Sequence, residues 1–131
     1  MLPLKRFADG SYYEDFFIDK LTKTLTDYDF AGLQVADGFC PSGMTHNCDF
    51  SVDFVDQFLS YSKITPPKDI ADSMTDDSIE SIKLRNEWIF KNLRVEWIQF
   101  WNWRWESFFK KLCDAIHAAG RHWGHPPHVR R

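Results

Sequence analysis

Asp37 is the residue that its neighbours best prepare for chemistry. It closes the apolar run "FAGLQVA" (residues 30–36) and is followed by Gly38 and a loop, "GFCPSGMTHNCDF". In the run, Ala31, Leu33 and Val35 alternate with Gly32, Gln34 and Ala36. Few of these are polar, so the spacing predicts a strand covered on both faces, as in a parallel sheet. A carboxylate at the end of such a strand either acts on a substrate or caps a turn with Gly38, as Asp-Gly often does. Asp9, in "FADG", repeats the "ADG" of residues 36–38 after another apolar stretch and is a second candidate strand-end acid. Asp49 and Asp53 lie beyond the loop, and Asp53 reads as a solvated first-turn helix residue.

Metal and nucleophile chemistry find less support. Cys40 and Cys48 flank His46, but structural zinc sites favour tight Cys-x2–4-Cys pairs. His122, His125 and His128 recur every third residue, with Pro126 and Pro127 preventing a helix from aligning them. A Cys40 nucleophile would need a histidine base that no spacing supplies, and Cys113 reads as a small core residue. Neither a phosphate-binding loop nor a dinucleotide fingerprint is present. No cofactor and no metal are expected.

The elements that must position these residues are mostly helical. "GSYYEDFF" opens with Ser11 and Glu14 at capping-box spacing, and Phe16, Phe17, Leu21 and Leu25 follow at helical intervals. "SVDFVDQFLSYS" predicts a short amphipathic helix, and "KITPPKDIADSMTDD" a connection. From Asp77 to Ala119 there is neither Gly nor Pro, and the pattern is helical throughout. Trp97, Trp101, Trp105, Phe108, Leu112, Ile116 and Ala119 form one stripe, opposite Glu96, Gln99, Glu106, Lys110, Asp114 and His117. Trp103 falls on the polar side. A 43-residue helix would extend about 65 Å, so it either breaks near Asn92 or overshoots its neighbours.

The 131 residues suit one domain. Residues 1–80 carry 6 Lys/Arg against 15 Asp/Glu, and residues 81–131 carry 10 against 4. With no basic stripe in the larger part, nucleic-acid binding is not expected. No apolar run approaches the ~20 residues of a membrane span, and the start lacks a signal peptide's apolar segment. The expected setting is cytoplasmic, with three reduced cysteines. Residues 121–131, "RHWGHPPHVRR", read as an irregular tail. Shifted by one base, their codons permit Gly-Ile-Gly-Gly-Ile-Leu-Leu-Met-Tyr, an apolar strand, so the tail is expected to be a frameshifted end of a truncated chain.

"DYDFAGLQVADGF", followed by an insertion and then "RNEWIFKNLRVEWIQFWNWRWESFFKKLCDAIHAAG", resembles a middle section of the (β/α)8-barrel glycoside hydrolases. The resemblance covers roughly residues 11–120 and rests on pattern; the Asn-Glu pair that many such enzymes carry is absent. It implies an α/β fold in which residues 1–120 are a partial (β/α)8 TIM-barrel segment, helix-rich, with a long Trp-rich helix. It implies a carbohydrate substrate, with Asp37 as nucleophile or electrostatic stabiliser at the C-terminal face of the barrel. Asp9, Phe39, His46 and Trp97 would then line the substrate site. The 131 residues alone would be inactive, because a closed barrel takes about 250. Two other readings stay open. One is a small helical interaction protein that binds a partner, or itself, through exposed aromatics such as Trp103. The other is carbohydrate binding without catalysis.

Overall fold

The computed structural model describes residues 4–35 and 49–123. Five helices occupy most of them: α1 (Tyr13–Asp27), α2 (Val52–Ser62), α3 (Lys68–Ser73), α4 (Ile79–Asn92) and α5 (Arg94–Ala118). Two short strands, β1 (Gly32–Leu33) and β2 (His122–Trp123), pair in parallel, with Gly32 opposite His122 and Leu33 opposite Trp123.

The core is built around α5, which packs against α1, α2 and α4. Its stripe of Trp97, Trp101, Trp105, Phe108, Leu112 and Ile116 is buried, as the spacing predicts, while Glu96, Gln99, Glu106, Lys110, Asp114 and His117 face solvent. Much of the aromatic content is spent here. Phe50 stacks on Trp97 with ring centroids 4.8 Å apart, and Phe54 and Phe58 meet Trp97 edge-on at 5.8 and 5.1 Å. Offset and edge-to-face pairs of this kind add to the burial of their area. α1 contributes Glu14, Ile18 and Leu25, with Leu21 half-buried; these positions recur at one helical face.

The long helical pattern does break, at Leu93 (φ −135°), just after Asn92. Neither Pro nor Gly causes it. Asn92 donates its side-chain Nδ2 to the Trp88 carbonyl at 2.8 Å, a local bond that competes with the helix ladder. Ile89 before the break and Trp97 after it both reach the core. α3 lies in the stretch expected to be a connection; Pro67 precedes its first residue, and Asp69 sits in its first turn.

α1 and α5 end alike. Each closes on a residue in the left-handed region, Asp29 (φ 53°) and Gly120 (φ 68°). In each the next amide reaches back five residues, Phe30 N–H to Leu25 and Arg121 N–H to Ile116, both at 3.0 Å. This is the Schellman arrangement, which satisfies the last carbonyls of a helix. Arg121 also donates to Asp29 at 2.9 Å. Two matching helix ends thus deliver two chain segments side by side, and β1 and β2 are their parallel pair.

The α/β expectation is overturned. The described residues hold no barrel and no segment of one: the strands are two residues each, and the helices pack on one another rather than on a sheet. Residues 30–35 are not covered on both faces. Gly32 and Leu33 are half-buried, Phe30 is 53% exposed and Gln34 is exposed. A short apolar run does not by itself declare a sheet, and this one lies at the edge of a helical core. No helix among the described residues is long and apolar enough to cross a membrane.

Candidate functional site

Arg104 stands on the apolar face of α5, four residues from both Phe100 and Phe108, and only 4% of it is exposed. A guanidinium cannot shed its charge, so its burial demands partners. Glu14 of α1 accepts from Arg104 Nη2 at 2.7 Å, and Gln57 of α2 accepts from Arg104 Nε at 3.1 Å. The guanidinium also lies over the Tyr12 ring, 5.1 Å from its centroid. The expected capping box does not form. Glu14 turns inward to the ion pair, and Ser11 bonds to Asp9 instead.

The network continues in both directions. Lys111 donates to Glu14 at 3.1 Å and to Asp15 at 2.5 Å. Desolvation works against the Lys111 charge, but the hydrogen bonds to Asp15 and Glu14 outweigh it and hold the ammonium above its usual value. On the other side, Gln57 donates to the Leu4 carbonyl at 3.0 Å and to Asp53 at 3.2 Å. Asp53 accepts the Arg6 backbone N–H at 3.0 Å and Arg6 Nε at 2.6 Å, and Arg6 Nη2 donates to Asp56 at 2.8 Å. Asp53, read from sequence as solvated, is therefore an anchor for the N-terminal segment.

Beside this network lies a cavity of about 270 Å³. α2 lines it with Gln57, Ser60 and Tyr61, and α5 with Phe100, Trp103 and Arg104; Arg6 and Tyr12 complete it. Tyr61 and Trp103 stack, their centroids 4.7 Å apart and their planes 29° from parallel. They remain 41% and 44% exposed. Trp103, the tryptophan that the α5 stripe left unexplained, is thus one half of an aromatic wall at a concave surface. Arg104 Nη1 makes no hydrogen bond among the described residues, and Arg104 is a lining residue.

The residues singled out from sequence are placed differently. Asp37, Phe39 and His46 lie outside the described residues, as do Cys40 and Cys48. Asp9 is exposed in the turn before α1, where its Oδ1 accepts from the Ser11 backbone and hydroxyl at 2.9 and 2.6 Å. The Ser11 hydroxyl, then the Ser11 amide, hold the Asp9 carboxyl below the usual carboxylate range. That favours the ionised form and does not suit a proton donor. Trp97 is fully buried between Phe50, Phe54 and Phe58, so it offers no face to a ligand. No group of three or more His, Cys, Asp or Glu is gathered as metal ligands among the described residues.

Sequence reasoning missed Arg6, Glu14, Gln57, Tyr61 and Arg104. One signal was present. Arg104 falls on the same helical face as Trp97, Trp101 and Phe108, and a cation inside an apolar stripe requires a buried acid nearby. Which acid answers it is a matter of tertiary packing, since Glu14 is 90 residues away.

No family model matches the chain, and no curated protein or solved structure matches it.

Proposed function

We propose that this chain is a non-catalytic binding protein that holds a sugar ring in the cavity between α2 and α5. The observation that carries the reading is the stacked, half-exposed Tyr61–Trp103 pair at a concave, partly polar site. Aromatic faces carry negative charge density, which attracts the polarised C–H groups of a pyranose. Ser60, Gln57 and Arg104 supply hydrogen-bonding groups around them, the usual mixture of an apolar lining with a few polar groups that orient a ligand. At about 270 Å³ the cavity lies just below the range of roughly 300–1,000 Å³ typical for drug-sized ligands. That suits one ring rather than a chain of them. A partner helix would need a longer apolar groove, and here the aromatic wall gives way to Arg6 and Arg104.

Binding fits better than hydrolysis. Glu14, Asp53 and Asp56 are each bonded to an arginine that lines the cavity. Asp9 is committed to its turn. None is placed as an acid and base pair across a substrate bond.

Two-dimensional NMR tests the reading. Neutral methyl glycosides (glucoside, galactoside, mannoside) titrated into labelled protein should shift the Trp103 indole and the amides of Ser60 and Tyr61. Trp103→Ala should abolish the effect while the other amide positions stay native. The proposal fails if no glycoside shifts these signals, or if Trp103→Ala responds as the parent does.

A further inference from the structure

We infer that the cavity selects neutral sugars against uronic acids, and that Arg104 Nη1 is the donor that anchors the ring. This deepens the binding reading above and rests on it.

Arg6 and Arg104 bring two positive charges to the cavity wall, and three carboxylates already hold them: Asp53 and Asp56 on Arg6, Glu14 on Arg104. Lys111 is likewise engaged, by Glu14 and Asp15. An incoming carboxylate finds no uncompensated cation. To pair with either arginine it must displace an existing ion pair or approach a carboxylate of like charge, which costs free energy where water is partly excluded. A cationic ligand would in turn face the two guanidinium groups.

What the network leaves over is hydrogen-bonding capacity rather than charge. Arg104 spends Nε on Gln57 and Nη2 on Glu14. A guanidinium has five N–H donors in a fixed fork, so three remain, both of those on Nη1 and one on Nη2. Its side chain is only 5% exposed, its plane is held over Tyr12, and its orientation is fixed before any ligand arrives. The hydroxyls of Ser60, Tyr12 and Tyr61 have no hydrogen-bond partner among the described residues, and each can both donate and accept. A fixed donor beside several adaptable hydroxyls matches a polyol, whose groups also do both. Gln57 is not free for this role, because its carbonyl accepts from Arg104 and its amide donates to Leu4 and Asp53.

The test compares methyl glucoside with methyl glucuronoside by the same NMR titration, on the parent protein, Arg104→Lys and Asp56→Asn. On the parent, the glucuronoside should bind roughly tenfold more weakly than the glucoside. Arg104→Lys keeps a charge for Glu14 and removes Nη1, so glucoside affinity should fall roughly tenfold. Asp56 is half-exposed, so Asp56→Asn leaves the fold intact; it should narrow the gap between the two sugars and leave the glucoside unchanged. Equal binding of both sugars by the parent overturns the selectivity. Undiminished glucoside binding by folded Arg104→Lys overturns the anchor, and an unchanged gap in Asp56→Asn overturns the charge argument even if Arg104→Lys does not fold. If instead no glycoside gives a Trp103-dependent signal, the binding reading itself has failed, and this inference with it.

Discussion

Arg85 and Arg104 are both buried arginines, and they are saturated to different degrees. Arg85, in α4, is fully buried. Its Nε donates to the Phe50 carbonyl at 2.8 Å, its Nη1 to the carbonyls of Ser73 and of Asp76, the latter at 3.0 Å, and its Nη2 to Asp77 at 2.8 Å. Asp77 in turn accepts the Val52 N–H at the start of α2. One side chain thereby joins the entry to α2, the end of α3 and the turn before α4. Arg104 is held by two side chains, Glu14 and Gln57, and keeps one nitrogen unspent beside a cavity. Burial of an arginine therefore does not distinguish a structural role from a binding role. What separates the two arginines is the number of donors already committed.

The same substitution at both sites makes the contrast measurable. Lysine keeps the charge but concentrates its donors at one point. Arg85→Lys can serve only part of the four bonds, leaving two or more buried acceptors bare, each costing about 1–3 kcal/mol. A loss of about 3 kcal/mol or more is expected in urea unfolding at unchanged m-value. Arg104→Lys gives up mainly the Gln57 bond and bares one buried acceptor, at about 1–3 kcal/mol. Equal losses at the two positions would erase the distinction.

The helical content and the face of α5 that packs inward are readable from sequence, because a seven-residue apolar stripe has one period and one use. The break after Asn92 was one of two outcomes that length allowed. The α/β expectation failed because a short apolar run ending in an acid has the same appearance at the edge of a helical core as in a barrel. The site was hidden for a different reason. Arg104, Glu14 and Gln57 lie on three helices, and a polar network becomes visible only when those helices are brought together. Two leads were present, Trp103 as an aromatic on the wrong face of its helix and Arg104 as a cation inside the apolar stripe.

The two tryptophans on opposite faces of α5 differ in the same way at a smaller scale. Trp97→Ala empties a fully buried site among three phenylalanines and should cost about 3–5 kcal/mol. Trp103→Ala removes a half-exposed ring and its stack on Tyr61, at about 1 kcal/mol. Thermal and urea unfolding of both variants check this. If Trp103→Ala were as damaging as Trp97→Ala, the Tyr61–Trp103 wall would be core rather than a surface kept for a ligand.

The smallest effect separates the two arginines by pH. Asp76 sits at the Arg85 end, where Oδ1 accepts the Ser78 N–H at 2.8 Å. The bonds from the Ser78 hydroxyl and amide, then the Ser81 hydroxyl, then the charge of Arg85, hold the Asp76 carboxyl below the usual carboxylate range. A group depressed in this way stabilises the fold above its unfolded pKa of about 3.9, and the contribution is lost as pH falls through the lower folded value. Asp76→Asn should therefore lower the melting temperature slightly at pH 6 and converge with the parent as pH falls through the lowered folded value. The turn that presents the Asp76 carbonyl to Arg85 is the one this carboxylate orders. Convergence would show that the Arg85 clasp is tuned by an ionised side chain at its rim. A gap that persists to the lowest pH would mean that the turn holds without it, and that Arg85 alone organises that end of the molecule.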